Sequence, residues 1–139
     1  MEEPNGLAFS ADGTTLYVAD SSAVRKPEGV GNRHVRAYSV ERDGAEVTCT
    51  DGRTLFQIPA GIPDGLRVDE SGRIWCSAAD GVHVYTPEGE HLRHLPVPEV
   101  VANLCFGGED GRDLYISATT SIYHLPVTVR DATWRRISA

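Results

Sequence analysis

The chain has 139 residues, of which 13 are basic and 20 are acidic, and its formal net charge is −7. Its length suits one domain, and its 40% hydrophobic and 24% charged residues are typical of a globular chain rather than a disordered one. The acidic balance argues against a nucleic-acid binder, and no apolar run is long enough to cross a membrane.

Short segments rich in β-forming residues follow one another along the chain, separated by glycine and proline. None shows a helical period near 3.6 residues over several turns, which argues against long amphipathic helices. The predicted strands cover residues 15–19, 35–40, 73–77, 81–85, 91–95, 114–117 and 121–125. Many short strands at spacings of roughly 8 to 12 residues are typical of an all-β fold.

An internal repeat organises these strands. A strand, a turn that ends in glycine and a second strand occur in each of three units, which begin at Asn5, Asp64 and Asn103. The starting residues are 59 and 39 positions apart, and a polar, glycine-rich insertion between Asp20 and Arg36 accounts for the longer interval. A repeat of about 40 residues built from four strands predicts the blades of a β-propeller.

The number of strands predicts about three blades, whereas closed propellers have about four to eight. We therefore expect one propeller region over residues 1–139 that corresponds to the C-terminal half of a ring, with the N-terminal blades absent. Two blade faces of such an arc stay open, and each repeat makes them apolar. The missing half-propeller or a second copy of this chain would cover them.

The three units carry an oxygen-bearing side chain at the same position, namely Asn5, Asp64 and Asn103. The first strand of each propeller blade lines the central channel, so these side chains are expected to meet at one of its mouths. Carboxylate and amide oxygens suit calcium, magnesium or manganese. The alternative is that Asn and Asp before glycine are ordinary turn residues that bind nothing.

The insertion is basic in an otherwise acidic chain. It contains Arg25, Lys26, Arg33, His34 and Arg36. These residues would cover the channel mouth and attract an anionic or polyhydroxy ligand. A solvated loop without a ligand is the alternative.

The histidines and cysteines predict no further site. His91 and His94 are three residues apart on one predicted strand, so they are expected on opposite faces, and no histidine metal set is predicted. Cys76 and Cys105 lie in apolar strands and are expected to be buried. With Cys49 they are an odd number at wide spacing, which indicates neither a disulfide framework nor a zinc knuckle. Since no secretory signal opens the chain, we expect reduced thiols and a cytoplasmic protein.

Three motifs occur in order along the chain. Residues 4–20 (PNGLAFSADGTTLYVAD), and residues 62–69 (IPDGLRVD) followed by 72–75, resemble the central signature of the SMP-30/gluconolactonase/luciferin-regenerating-enzyme family. Residues 103–108 with 114–116 look like the last blade of that family. The resemblance runs over essentially the whole chain, and the order of the motifs makes it specific.

The resemblance implies a six-bladed propeller with one divalent cation in its central channel, in a family that includes hydrolases of sugar lactones and related esters. Asn5 and Asp64 match metal ligands of the family, and Asp64 also matches its proposed general base. Asn103 matches a position near the channel mouth, and it is a candidate pocket residue together with Arg33 and His34. Calcium is the expected cation, with manganese, magnesium or zinc as alternatives.

The remaining protein ligand of the family is a Glu of the first blade, and its substrate-contacting residues lie in earlier blades that have no counterpart here. The metal site of this chain is therefore expected to be incomplete. We expect metal-dependent hydrolysis of a sugar lactone or related ester by a complete propeller. The alternatives are a non-catalytic propeller module that binds a ligand or a partner, and a half-propeller that closes by pairing with a second copy.

Overall fold

The computed structural model describes residues 1–134, which form eleven strands in three antiparallel sheets. The first sheet consists of β1 (Pro4–Phe9), β2 (Thr15–Asp20), β3 (His34–Asp43) and β4 (Glu46–Gln57). The second consists of β5 (Leu66–Val68), β6 (Ile74–Ala78), β7 (Gly81–Tyr85) and β8 (His91–Pro96). The third consists of β9 (Val101–Gly107), β10 (Asp113–Ala118) and β11 (Ile122–Pro126). Strands pair in chain order within each sheet, so the predicted all-β partial propeller with about three blades is confirmed.

The turn between the first two strands of each sheet depends on a glycine at the same position of the repeat. Gly13, Gly72 and Gly111 have φ angles of 73°, 80° and 76°, in the left-handed region that a side chain disfavours. The amide of Gly13 donates to the carbonyl of Ser10, and that of Gly72 donates to the carbonyl of Asp69. These glycines end the turns of the three sequence units, and they therefore fix the hairpin between the first two strands of each blade.

The inner strands β1, β5 and β9 lie side by side at the centre of the arc. The amide of Gly65, just before β5, donates to the carbonyl of Ala102 on β9 at 3.1 Å. The Ser21 hydroxyl, just after β2, donates to the Pro63 carbonyl at 2.6 Å. Hydrogen bonds between neighbouring blades therefore hold the inner ends of the blades together.

Two apolar cores separate the three sheets. Between the first and second sheets, Val35, Leu66 and Ile74 are buried, and the rings of Phe56 and Tyr85 stack at 3.7 Å. Burial of such side chains away from water is the main force that holds one sheet against the next.

The second core lies between the second and third sheets. It contains Val82, Leu104 and Leu114, and the edge of Trp75 meets the ring of Phe106 at 5.4 Å. Each interior face of a blade is therefore covered by its neighbour, as the stacking of propeller blades requires.

The outer faces of the first and third sheets are not covered by any described residue, and apolar side chains lie on them. Leu7 and Phe9 of β1 are 57% and 41% exposed, whereas Ala8 between them packs on the first core. On the third sheet, Ile122 is 77% exposed. No helix within residues 1–134 has the length and apolar character needed to cross a membrane.

One cysteine prediction is confirmed and the other is wrong. Cys76 is fully buried in β6, and burial raises the pKa of its thiol. Cys105 is exposed, because the alternation of β9 turns it to the outer face of the third sheet beside Tyr115, its partner on β10. A strand that is apolar on both faces is buried on both only where a further blade covers it.

Candidate functional site

Asn5 and Asp64 come together where the inner strands β1 and β5 begin. Asn5 is the second residue of β1, and Asp64 lies two positions before β5. The Asn5 side chain lies close enough to Asp64 to lower the pKa of its carboxyl group. The Nδ2 atom of Asn5 donates to Ser21 Oγ at 3.2 Å, and Ser21 in turn donates to the Pro63 carbonyl. The Ser21 hydroxyl therefore links the two candidate ligands, and sequence reasoning assigned it no role.

The glycine that follows each candidate ligand permits this approach. A Cβ atom built on Gly6 would lie 1.9 Å from the carbonyl oxygen of Asp64. A Cβ atom built on Gly65 would lie 2.3 Å from Asn103 Oδ1. Neither glycine has a positive φ angle. The glycines at this position therefore serve close packing of the inner strands rather than a tight turn.

Asn103 occupies the equivalent position of the repeat on the third inner strand, β9. Its Oδ1 accepts a hydrogen bond from the amide of Leu104 at 2.8 Å, and its side chain lies against Gly65. The structure therefore places Asn5, Asp64 and Asn103 side by side, with Asp64 in the middle. The propeller register explains this, since the three residues occupy one position of the repeat.

Asp64 is half-buried at this place. Burial raises the pKa of its carboxyl group, and the Asn5 side chain acts in the opposite direction. A carboxylate drawn partly out of water is a better base and gains more from a nearby cation than an exposed one does.

A cavity of about 330 Å³ opens beside Asp64. Asp64 and Arg33 are its charged lining residues, and Val24, Ile62 and Val101 contribute apolar surface. Of the three candidate pocket residues, Arg33 therefore shares a cavity with Asp64. Such a cleft, apolar with few convergent polar groups, has the general character of a small-molecule site.

His34 lies elsewhere. It is buried, and its Nε2 is 3.8 Å from Asp20 Oδ2 without a hydrogen-bond partner in the described part of the chain. Burial lowers the pKa of His34, against the opposite effect of the Asp20 charge. The structure turns His34 toward Asp20 rather than toward the cavity beside Asp64.

Asp20 has a structural role that the sequence did not indicate. Its buried carboxylate accepts hydrogen bonds from the amides of Glu2, at 2.8 Å, and Ser22, at 3.2 Å, and from Asn32 Nδ2, at 3.1 Å. Burial alone would raise the pKa of Asp20, but the backbone donors outweigh it and lower that pKa to about 2. Asp20 thereby ties the start of the chain and the insertion to the end of β2.

Two basic residues of the insertion form ion pairs with the start of the chain. Lys26 contacts the carboxylate of Glu2, and Arg25 lies 3.9 Å from that of Glu3. Both pairs join the insertion to the residues before β1. Only Arg33 of the insertion's basic residues lines the cavity with Asp64.

The histidine prediction is wrong, because a β-bulge changes the register of the outer strands. His94 pairs with His83 and His91 pairs with Tyr85, which leaves Leu92 as the extra residue of β8. This bulge turns His91 and His94 to the same face of the sheet, where both contact His83. Strict alternation, from which we expected opposite faces, does not hold across a bulge.

The oxygen donors of Asn5 and Asp64 fit a hard divalent cation. The Asn5 amide nitrogen donates to Ser21, which leaves the amide oxygen as the group suited to a metal. Calcium, magnesium and manganese all prefer such carboxylate and amide oxygens. Two protein ligands are fewer than calcium takes, so further oxygens are required.

The chain resembles proteins of known families in both sequence and structure. A family model described as SMP-30/Gluconolactonase/LRE-like region matches residues 1–120. The gluconolactonase of Zymomonas mobilis is 33% identical over 96% of this chain and 36% of its own length. Regucalcin of Danio rerio is 31% identical over 82% of this chain and 37% of its own length.

A solved structure of a gluconolactonase from Xanthomonas campestris is 35% identical and superposes with a TM-score of 0.73. The match covers 91% of this chain and 38% of that one. The chain described here therefore spans somewhat more than a third of the length of these relatives.

Proposed function

This chain belongs to the SMP-30/gluconolactonase/LRE-like family, and we propose that it contributes part of the active site of a divalent-metal-dependent hydrolase of sugar lactones or related esters. The observation that carries the proposal is the contact of Asn5 and Asp64 where two inner strands meet: Ser21 bonds both to Asn5 and to the carbonyl of Pro63 beside Asp64, and only a glycine fits between residue 6 and the Asp64 carbonyl oxygen. It supports a shared ligand role for two residues that are 59 positions apart in the sequence. Relatives named as gluconolactonase and pentonolactonase support the substrate class.

Asn5 and Asp64 would hold the cation through their side-chain oxygens, with calcium as the expected ion and manganese, magnesium or zinc as alternatives. When bound, a divalent cation supplies Lewis-acid polarisation of a carbonyl group. Further ligands would come from water and from blades beyond the three described here. The proposal therefore concerns a complete propeller, of which this chain forms one part.

Asp64 would also act as the general base of the reaction. Its carboxylate would accept a proton from the water that attacks the lactone carbonyl, and would return that proton to the ring oxygen as the ring C–O bond breaks and a hydroxy acid forms. Arg33 faces the same cavity and would orient a polyhydroxy substrate by donating hydrogen bonds. Asn103, which lies against Gly65 next to Asp64, would be a further pocket residue.

The exposed apolar residues on the outer sheet faces support a partner for this arc. Leu7 and Phe9 on one side and Ile122 on the other expose apolar surface of the kind that the described blades bury between them. Further propeller blades, or a second copy of this chain, would cover them.

A cytoplasmic location is part of the same proposal, since the three cysteines are free.

The proposal is tested by metal binding and by turnover with a panel of aldonolactones. We expect a complete propeller that contains these three blades, mixed with calcium, manganese or zinc, to hydrolyse at least one lactone, and we expect a chelator to stop this. Asp64→Ala and Asn5→Ala should weaken metal binding and abolish turnover. Asp43→Asn is the matched control, because Asp43 is an exposed carboxylate at the distant end of β3.

The same experiment distinguishes the alternative of a non-catalytic module. Turnover that is unchanged in Asp64→Ala, or that resists the chelator, would contradict the proposed role of the site. Metal binding that depends on Asp64, without hydrolysis of any lactone in the panel, would favour a module that binds a ligand or a partner.

A further inference from the structure

A second group of metal-binding side chains lies on the outer strands of the second sheet. It consists of Asp80 in the turn between β6 and β7, His83 on β7 and His94 on β8, and the three ligand atoms all lie within 4.8 Å of one another. Asn5 and Asp64 lie at the inner strands, so this group belongs to a different part of the blade. We propose that Asp80, His83 and His94 bind one zinc ion or a similar divalent transition-metal ion.

The distances between the ligand atoms are close to those that a bound zinc ion requires. His83 Nε2 is 2.9 Å from Asp80 Oδ1, and His94 Nε2 is 3.6 Å from Asp80 Oδ2. In a tetrahedral zinc site with metal–ligand bonds of about 2.0–2.2 Å, neighbouring ligand atoms are about 3.3 Å apart. The ligand atoms of His83 and His94 lie within 4.8 Å of each other, and His94 Nε2 would turn from the Asp80 carbonyl oxygen, 3.0 Å away, toward the ion.

The choice of metal follows from the donor set. Two imidazole nitrogens and one carboxylate are typical ligands of zinc, whereas calcium and magnesium prefer oxygen ligands alone. A metal ion binds imidazole in its neutral form, through the lone pair of a ring nitrogen.

The site is fixed on one side and open on the other. The side chain of His83 is 2% exposed, and its Nδ1 lies 3.1 Å from His91 Nε2, so His91 holds the ring in place. The side chains of Asp80 and His94 are 38% and 35% exposed. An ion can therefore enter from solvent, and a water molecule can occupy its fourth position.

The bulge at Leu92 is what creates the site. Without it, His91 and His94 would lie on opposite faces of β8, and His83 could not contact both. A bound ion would join the β6–β7 turn to the outer strand β8. It would thereby stabilise the outer part of the second blade by favouring the folded state.

The test is a titration of the full chain, freed of metal with a chelator, with zinc chloride and with cobalt(II). We expect one zinc ion per chain and cobalt absorption bands of tetrahedral intensity. His94→Ala should weaken zinc binding at least about 100-fold, since even loss of an outer hydrogen-bonding partner costs about 10- to 100-fold. His94 is the residue to change because it is exposed, whereas a change at buried His83 would also disturb folding.

Two control variants separate this site from other metal-binding groups. His124→Ala removes the other exposed histidine–carboxylate pair, in which His124 Nε2 lies 2.6 Å from Asp113, and it should leave zinc affinity unchanged. Asp43→Asn should likewise leave it unchanged, because Asp43 is an exposed carboxylate at the far end of β3.

The urea unfolding midpoint of metal-free His94→Ala should equal that of the unmodified chain, which shows that the variant folds. Equal zinc affinity in His94→Ala and the unmodified chain would overturn the proposal. So would octahedral cobalt spectra, or zinc binding that is lost in Asp43→Asn. Asp80→Asn provides a second ligand variant with the same expected loss.

Discussion

The close approach of β1 and β5 makes a quantitative prediction for Gly6→Ala. A Cβ atom at residue 6 would lie 1.9 Å from the carbonyl oxygen of Asp64 and 2.9 Å from its carbonyl carbon. Real Cβ atoms essentially never come within 3.0 Å of such atoms. The two inner strands must therefore separate by about 1 Å, because the obstructing atoms belong to the backbone and no side chain can move aside.

Two opposing effects determine the size of the loss. Forcing an extra methyl group into a well-packed place costs about 1–3 kcal/mol, and backbone obstruction puts Gly6→Ala at the upper end. Replacing glycine by alanine also restricts the unfolded chain and returns about 0.4–1 kcal/mol. The free energy of unfolding should therefore fall by about 2 kcal/mol. Metal binding should weaken too, because the same movement separates Asn5 from Asp64.

Urea unfolding followed by circular dichroism measures the stability, and calcium or manganese titration measures the site. Gly107→Ala is the matched control, since Gly107 has no positive φ angle and its added Cβ would lie 3.1 Å from the half-exposed ring of Tyr115, which can move. We expect the control to stay within about 0.5 kcal/mol of the unmodified chain. If Gly6→Ala is as stable as Gly107→Ala and binds metal equally well, the inner strands are not packed as described.

Three further predictions concern stability and use the same urea unfolding assay. The pKa of Asp20 is lowered to about 2 in the folded chain, so this carboxylate adds about 2 kcal/mol to the free energy of unfolding above about pH 4, and the stabilisation is lost as the pH falls toward 2. Asp20→Asn should remove this pH dependence, and a pH profile of stability that is the same in the variant would refute the prediction. Asp69→Ala should lower the free energy of unfolding by about 2–3 kcal/mol. The buried Trp75 indole N–H donates to the Asp69 carboxylate at 2.8 Å, and the variant leaves it without an acceptor. A decrease below about 0.5 kcal/mol would contradict this. Leu114→Ala should lower the free energy of unfolding by about 3 kcal/mol, because Leu114 is buried in the second core. Ile122→Ala is the control, since Ile122 is 77% exposed, and it should change stability by less than about 0.5 kcal/mol. Equal losses in the two variants would argue against the described burial.

The blade architecture was predictable because its causes are local. Gly13, Gly72 and Gly111 follow strand-forming segments at the same position of each unit, and each adopts the positive φ angle that its turn requires. The repeat of these turns indicates both the hairpins and their number. The row of Asn5, Asp64 and Asn103 followed from the same periodicity, since equivalent positions of propeller blades point to one channel.

The histidine cluster was not predictable from alternation. One extra residue in β8, Leu92, reverses the face of every residue beyond it, and a bulge leaves no strong mark in a sequence of mixed polar and apolar residues. The exposure of Cys105 has a different cause. It depends on whether another blade covers the third sheet, which lies outside what the local pattern of β9 encodes.

Gly6 and Gly65 have a role that the turn interpretation of the Asn-Gly and Asp-Gly motifs does not explain. Asn or Asp followed by glycine is common in turns, and that interpretation would leave Asn5 and Asp64 without a shared site. The structure gives the glycines ordinary φ angles and places neighbouring inner strands where a Cβ atom would be. Because the glycine allows the contact, the motif encodes the distance between blades as well as the ligand. Gly6→Ala, which leaves both candidate ligands in the sequence, therefore tests whether that distance is what makes Asn5 and Asp64 one site.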